Sequence, residues 1–255
     1  MWESGEVHEL ADPPAATYAV CSVPITAVDT VGAAARIVRD AVERRSCQVH
    51  LCNAYTLSLV DQDAELRTAL EQADLNLADG APVAFLGRHR GMRGPVRGSE
   101  LVGKVATMGS GEVRHYLYGG KEGVAELMAT ELGRQVPGID IVGTESPPFT
   151  PITEEHLADL VRRVDESGAN VLWIGLGTPR QDYLVHRLAD RLAMPIVPVG
   201  AAFDFWSGAV VEAPRFVHGS GLEWLHRLAS EPRRLWRRYL LGNPRFLLSA
   251  WRHRR

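Results

Sequence analysis

The sequence predicts an α/β fold in which a mainly parallel sheet is covered by helices on both faces. Two observations support this prediction. Short runs rich in valine, isoleucine and leucine alternate along the chain with amphipathic stretches of roughly ten to sixteen residues. The apolar runs are nearly continuous, which is typical of parallel strands that are buried on both faces. A third feature, an arginine-rich end of the chain, predicts a basic helical appendage at the C-terminus.

Composition and length place the chain among ordinary globular proteins. It has 255 residues, of which 45% are hydrophobic and 23% charged, so it can bury a sizeable core. We predict a flexible lead-in over residues 1–15, an α/β domain over residues 16–220 and the basic appendage over residues 221–255. The acidic, proline-containing start does not resemble a signal peptide, and no apolar run approaches the ~18 residues of a spanning helix. Three cysteines without a C-x-x-C pair also favour a cytoplasmic protein.

The first half of the α/β domain is predicted to contain two helices and two strands. Val28, Val31, Ala35 and Val38 recur at three- and four-residue steps and predict a helix over residues 27–45. A strand over residues 47–53, a helix over 56–73 and a strand over 74–80 follow.

The second half repeats the alternation more regularly. Strands are predicted over residues 114–120, 139–143, 169–177 and 194–200, and helices over 121–136, 153–168 and 178–192. Thr178 is predicted to be the N-cap of the last of these helices, with Pro179 at its first position.

In such folds ligands bind beyond the carboxyl ends of the strands, where loops lead into helices. We therefore expect the functional site among five loops. These are residues 51–56, 77–82, 118–123, 175–182 and 199–208.

Two of these loops are glycine turns. The amides of Gly119 and Gly120 are placed to approach a phosphate, with Lys121 adding positive charge, but a tight turn without a ligand explains them equally well. Gly175 and Gly177 are similarly ambiguous. They are not part of a dinucleotide fingerprint, because Arg180 stands where the third glycine would fall.

Three polar residues in the same loops are candidates for chemistry. Asp79 ends a strand, where a carboxylate can take a proton from a hydroxyl, although Asp-Gly is also a common turn. Asn53 is either an amide in the site or a turn residue. Gln181 can contact a base or a sugar, whereas the neighbouring Asp182 is explained by the dipole of its helix.

Several chemistries lack their usual signals. The nine histidines show no metal-ligand spacing, so no metal site is predicted. Neither a G-x-S-x-G nucleophile turn nor a P-loop is present.

The last 35 residues combine charge with apolar side chains. They hold nine arginines and two glutamates, a net charge of +7, which leaves −10 for residues 1–220 in a chain of −3. Trp224, Trp236, Phe246 and Trp251 are aromatics of the kind found at membrane interfaces. An anionic membrane surface is the favoured partner. A solvated basic face is the plainer alternative, and no nucleic-acid recognition motif accompanies the charge.

Five motifs in order resemble the WecG/TagA/CpsF family of bacterial glycosyltransferases. They are "NLADG", "YGGKEGVAE", "GLGTPRQD", "VGAAFDFWSG" and "GLEWLHRLASEPRRLWRRYL", and the similarity runs from about Ile25 to Phe246. The resemblance implies a Rossmann-like fold and a hexosyltransferase that needs no metal or cofactor. It implies transfer of an N-acetylmannosamine-type or related sugar from a UDP donor to a polyprenyl diphosphate-linked sugar, at the cytoplasmic face of the membrane.

The resemblance also implies roles for single residues. Asp79 matches the catalytic base, Asn53 lines the site and Gln181 contacts the nucleotide-sugar, which "GLGTPRQD" would hold. The resemblance implies that Arg233, Arg237 and Arg238 contact phosphate. The further residues that we predict in substrate binding are Gly119, Gly120, Gly175, Gly177, Pro179 and Arg97.

The chain departs from the family pattern in three places. Leu51 replaces a threonine two residues before Asn53, and Glu212 replaces an arginine in R-A-P. Pro95 replaces the arginine of E-R-V-x-G, and either Arg93 or Arg97 would have to supply the missing charge. Donor identity is the inference that these departures affect most.

Two other functions stay open at this point. A non-catalytic UDP-sugar-binding scaffold of a polysaccharide assembly system would bind the donor without releasing UDP. A nucleic-acid binder would show a steep salt dependence and indifference to UDP. A homo-oligomer formed through an apolar surface under the tail is compatible with the composition, but no sequence feature predicts it.

Overall fold

The computed structural model describes residues 16–148, 150–210, 228 and 232–253, without the side chains of residues 232–234, 237 and 239. The predicted lead-in over residues 1–15 therefore lies outside the described residues, as do Trp224 and Glu212. The fold is α/β, as predicted.

The strands described are β1 (Thr17–Val20), β2 (Val23–Thr26), β3 (Cys47–Cys52), β4 (Leu75–Ala78), β5 (Arg114–Gly119), β6 (Asp140–Glu145), β7 (Val171–Gly175) and β8 (Pro195–Pro198). The helices described are α1 (Thr30–Val42), α2 (Ala54–Leu59), α3 (Ala64–Glu71), α4 (Ala81–Leu86), α5 (Gly98–Met108), α6 (Val124–Gln135), α7 (Glu154–Ser167), α8 (Arg180–Leu188), α9 (Ala202–Trp206) and α10 (Pro232–Arg252). A 3₁₀ turn (Arg88–Arg90) follows α4.

The strands form one sheet in the order β1-β2-β4-β3-β8-β7-β5-β6. Neighbouring strands are parallel except β1 and β2, which are antiparallel at one edge. β3 lies between β4, the strand that follows it in the chain, and β8, the last strand described. A crevice at the carboxyl ends of the strands is expected where the strand order reverses in this way.

Helices cover both faces of the sheet. Trp173 of β7 packs on one face with α1, α5, α6 and α9, which we call the first face. Its neighbours Leu172 and Ile174 point to the opposite face, where α7 and α8 pack. α2, α3, α4 and α10 contribute to the core at the other end of this second face. Helices therefore cover both faces of the sheet, and the ends of the strands remain accessible to ligands.

One predicted helix is two helices in the structure. The helix expected over residues 56–73 is interrupted between Leu59 and Ala64. Asp63 accepts a hydrogen bond from the amide of Leu66 at 3.0 Å and caps α3. Arg67 donates to the carbonyl oxygen of Val60 at 2.9 Å. A local cap therefore outweighs the continuous apolar pattern.

Several elements were not predicted, namely β1, β2, α4, α5 and α9. β1 and β2 are joined at Cys21 and Ser22, which have φ angles of 51° and 69°. Such turns normally use asparagine or glycine, so the hairpin lacked its sequence signal. The predicted cap of α8 is also wrong, because the helix begins at Arg180 and Thr178 makes no capping hydrogen bond.

α10 confirms that the C-terminal segment is helical, and it packs mainly against α2. Phe246, expected at a membrane interface, is only 4% exposed and belongs to the core of the second face. Trp236 and Trp251 are 43% and 68% exposed. His253, directly after α10, contacts the Oγ of Ser22 at 2.8 Å. Among the described helices, none has the length and apolarity needed to cross a bilayer.

Candidate functional site

A cavity of about 820 Å³ opens at the carboxyl ends of the central strands. Its walls include residues from all five loops that were predicted to form the site, together with residues 97–99, 146–148 and Arg238 of α10. Among the residues singled out from the sequence, the structure brings together Asn53, Asp79, Arg97, Gly120, Gly175, Gly177, Gln181 and Arg238. Gly119 and Pro179 are not among the residues that line it. The side chains of Arg233 and Arg237 lie outside the described part of the chain.

Asn53 and Asp79 form a hydrogen-bonded pair at the cavity wall. The side-chain oxygen of Asn53 accepts from the amides of Tyr55 and Thr56 at 3.0 and 3.1 Å and so caps α2. The amide nitrogen must then point the other way, and it donates to Oδ2 of Asp79 at 3.2 Å. The cap thereby orients the donor that holds the carboxylate.

Asn53→Asp is expected to keep the fold and lower turnover about 10²-fold. An aspartate caps a helix as well as an asparagine, but it cannot donate, and it places a second carboxylate beside Asp79. The two carboxyl groups would compete for a proton, and Asp79 would lose the donor that positions its carboxylate. Steady-state turnover measures the effect. Asp29→Asn, the reverse exchange at the cap of α1, is the matched control, and wild-type turnover in Asn53→Asp would contradict the pairing.

The glycines at the ends of β5 and β7 permit a close approach of two backbones. A Cβ on Gly119, whose φ is 153°, would lie 2.5 Å from the backbone of Gly175. A Cβ on Gly175 would lie 2.4 Å from the ring of Phe203. The amide of Gly120 donates to the carbonyl oxygen of Gly175 at 3.0 Å. Gly120 and Gly175 line the cavity, whereas Gly119 packs behind its wall, and the Gly120 amide that was expected to face a phosphate is already hydrogen-bonded.

Gly175→Ala is expected to lower the free energy of unfolding by about 1–3 kcal/mol, because the ring of Phe203 is buried and cannot move without α9. Urea denaturation measures the change. Gly133→Ala is the control, since a Cβ there meets nothing within 4 Å in α6. That substitution is expected to be neutral or slightly stabilising. Equal stability of both variants would show that the wall at Gly175 adapts.

Gln181 joins two loops at the start of α8. It is buried, and its side-chain oxygen accepts from the amide of Gly177 at 3.0 Å. A Cβ on Gly200 would lie 3.3 Å from the same oxygen. Gln181 therefore lies at the cavity wall between the loops after β7 and β8, with its oxygen already engaged.

The sequence did not predict a buried pair behind Gln181. Nδ1 of His50 and Oδ1 of Asp182 share a hydrogen bond of 2.8 Å, and both side chains are fully buried. Nε2 of His50 in turn contacts the side-chain nitrogen of Gln48 at 3.0 Å. The pair joins β3 to the first turn of α8 across 132 residues of sequence. Asp182, interpreted from the sequence as a dipole partner, is thus also a tertiary contact.

Cys52 stands next to Asn53 but is not a nucleophile. Complete burial raises the pKa of its thiol well above the ordinary value, and the carboxylates of Asp182 and Asp79 raise it further. The thiol therefore stays protonated at neutral pH. Cys52 packs into the core of the second face, so its role is structural.

Four cationic side chains line the cavity: Arg97, Lys121, Arg180 and Arg238. The guanidinium of Arg238 lies 4.6 Å from the centre of the Tyr55 ring. Arg180 donates to the carbonyl oxygens of Pro148 and Thr150 and holds the loop after β6. The carboxylates in the cavity wall belong to Asp79, Glu122 and Asp204. The four cations can bind the phosphates of a ligand, while the three carboxylates leave the lining with an excess of one positive charge.

The structure distinguishes the two arginines proposed to replace the one missing at Pro95. Arg97 lines the cavity, with its guanidinium 4.0 Å from Glu100. Arg93 is exposed and is not among the lining residues. Leu51, in place of the family's threonine, lies in the wall and packs into the core of the first face.

Sequence reasoning missed the part of the wall at residues 146–148. This loop follows the carboxyl end of β6, so the rule that selected the other five loops applied to it as well. Ser99 and Phe205 were also missed as individual wall residues. In the described ranges, no group of three or more histidine, cysteine, aspartate or glutamate side chains is arranged to hold a metal ion.

Comparison with known families gives one match over nearly the whole chain. The family is described as "Glycosyl transferase WecG/TagA/CpsF family", and its model matches residues 18–255.

Proposed function

The chain belongs to the WecG/TagA/CpsF family of glycosyl transferases, and we propose that it is an inverting, metal-independent hexosyltransferase that uses a UDP-sugar. The donated sugar is of the N-acetylmannosamine type or a related one. The acceptor is a polyprenyl diphosphate-linked sugar, and the product is an intermediate of an exopolysaccharide or a teichoic-acid-like polymer of the cell wall.

The observation that carries this proposal is the Asn53–Asp79 pair in a cavity lined by four cationic side chains. Asp79 takes the proton from a hydroxyl of the acceptor sugar as that oxygen attacks the anomeric carbon of the donor. The bond from this carbon to the UDP oxygen breaks, and attack from the opposite face inverts the configuration. Asn53 positions the carboxylate by its hydrogen bond to Oδ2.

The departing UDP gains negative charge as the bond breaks, and the protein must stabilise it. Arg97, Lys121 and Arg238 line the same cavity and supply full positive charges. The amino ends of α6 and α8 also face the loops that form its wall and add partial positive charge. These groups support the proposal that the chain needs neither a metal nor a cofactor.

The exposed side of α10 supports a place at the inner face of the cell membrane. Trp236, Leu240, Leu247 and Trp251 recur at helical spacing and are all strongly exposed. Leu235 and Phe246 lie on the buried side of the same helix. A helix that is apolar on its solvent side as well as its packed side is suited to peripheral binding at a bilayer interface.

Release of UDP from a panel of UDP-sugars tests the proposal. The panel includes UDP-N-acetylmannosamine and UDP-glucose, each with and without a polyprenyl diphospho-N-acetylglucosamine acceptor in detergent. Acceptor-dependent release from one donor is expected and would name that donor. Absence of release from every donor, with acceptor present, would overturn the proposed reaction.

A non-catalytic UDP-sugar-binding scaffold is the second candidate. Leu51 favours it, because it places an apolar side chain in the cavity wall, packed into the core of the first face, where the family pattern has the hydroxyl of a threonine. Binding of UDP measured by calorimetry, together with no release in the panel, would select this candidate.

A further inference from the structure

We propose that residues 85–93, here called the basic segment, are a second contact with the anionic headgroups of a bilayer, beside α10. This inference rests on the proposed function at a membrane. It adds a surface to that function that the C-terminal helix does not contain.

The basic segment combines an exposed aromatic ring with clustered positive charge. Phe85, in the last turn of α4, is 60% exposed, and the guanidinium of Arg88 lies 4.7 Å from the centre of its ring. Arg90 and Arg93 are also exposed. Between Asp79 and Glu100 the sequence contains four arginines and no acidic residue. Aromatic rings with arginines are the combination that binds at the headgroup level of anionic membranes.

The charge of this segment is not neutralised within the described part of the chain. Arg88, Arg90 and Arg93 form no ion pair with a described residue, whereas an exposed arginine on α6 and another on α7 do. Arg134 pairs with Glu131 at 2.7 Å, and Arg162 pairs with Asp159 at 3.3 Å. With respect to the described residues, the basic segment therefore keeps its positive charge.

The segment is held in place by the protein core. The hydroxyl of Tyr18 donates to the carbonyl oxygen of Val83 at 3.1 Å, and its ring lies edge-on to His89. A Cβ on Gly87 would lie 2.3 Å from the Tyr18 ring, so the backbone is packed directly on it. Phe85 and Arg88 are thus displayed from a fixed platform.

The basic segment and α10 belong to the same side of the molecule. Val83 and Ala84 of α4 pack into the core of the second face together with Phe246 of α10. The hairpin of β1 and β2 contributes Tyr18 and Cys21 to that same core. Both elements therefore cover the same face of the sheet, and the proposal is that one lipid surface meets both.

This side of the molecule also adjoins the site. α4 begins two residues after Asp79 and contains six residues, a length of about 9 Å. Arg238 brings α10 to the cavity wall. A bilayer in contact with both elements would present a membrane-anchored acceptor close to the proposed base. The second contact would therefore help to position the acceptor.

Sedimentation of the full chain with vesicles tests the inference. Vesicles of phosphatidylcholine with phosphatidylglycerol are compared with vesicles of phosphatidylcholine alone. The variant Phe85→Ser/Arg88→Glu is compared with Leu127→Ser/Arg134→Glu, which likewise replaces an exposed apolar side chain and reverses one charge, on α6 of the first face. We expect the first variant to bind the anionic vesicles about tenfold more weakly than the wild type, and the control variant to bind like the wild type.

Two further measurements separate the possible failures. Thermal unfolding shows that both variants are folded, and turnover with a short water-soluble acceptor is expected to be unchanged in both. Vesicle binding of the Phe85→Ser/Arg88→Glu variant equal to that of the wild type would overturn the inference, as would a wild type that ignores anionic vesicles. Failure of the wild type to turn over the soluble acceptor would instead overturn the proposed reaction, whatever the vesicles show.

Discussion

Replacing Asp79 with asparagine is expected to lower acceptor-dependent UDP release by about 10²–10⁴-fold while the protein stays folded. In the wild type the side-chain nitrogen of Asn53 donates to Oδ2 of Asp79 at 3.2 Å. An asparagine at position 79 keeps a side-chain oxygen that can accept this hydrogen bond. It cannot take a proton from the attacking hydroxyl, because an amide oxygen is a very weak base. The loss should therefore appear in turnover and leave the affinity for UDP nearly unchanged, as calorimetry would measure.

Asp204→Asn is the matched control for this substitution. Asp204 is another carboxylate of the cavity wall, so the exchange removes the same charge from the same cavity. We expect a smaller loss than in Asp79→Asn. A large loss in Asp204→Asn with near-normal release in Asp79→Asn would reassign the base and contradict the mechanism.

Deleting residues 221–255 is expected to abolish turnover even with a short soluble acceptor. The deletion removes Arg238 from the cavity wall, and with it a positive charge for the departing UDP. It also uncovers the core of the second face where Phe246 packs, so loss of the fold is a competing cause. A point substitution separates these two effects.

Arg238→Gln is expected to lower turnover about 10²–10³-fold in a folded protein, the range found when one preorganised group that stabilises developing charge is removed. Arg245→Gln is the control, because Arg245 is exposed on the same helix and is not among the residues that line the cavity. Equal turnover of the two variants would show that Arg238 has no part in the reaction. Full activity of the deletion variant would exclude any catalytic role of the tail.

The location of the site could be predicted because it follows from topology. Once apolar runs alternate with helices, parallel strands place their carboxyl ends at one edge of the sheet, and the loops there meet. This rule made Asn53 and Asp79 candidates, with a turn residue as the alternative for each, and the family resemblance then implied their roles. The two side chains are in contact in the structure. The loop at residues 146–148 was open to the same reasoning and was overlooked.

Other features had no local signal in the sequence. The β1–β2 hairpin turns at Cys21 and Ser22 without a glycine or asparagine, so its geometry is stabilised by what packs on it. The pair of His50 and Asp182 joins residues on different elements, and each residue alone has an ordinary explanation. Phe246 is of a residue type that is common at membrane interfaces, yet it is buried. Helical spacing alone does not show which side of an isolated helix meets the core.

The sequence by itself determined the order and type of most elements, the α/β class and the edge of the sheet that carries the site. These follow from periodicity and from chain connectivity, which are local properties. Only the tertiary structure decided that Arg97 and not Arg93 lines the cavity, that the Gly120 amide is already bonded to Gly175, and which side of α10 is exposed. Such outcomes depend on side-chain direction and on hydrogen-bond partners far apart in the chain, and packing alone selects among them.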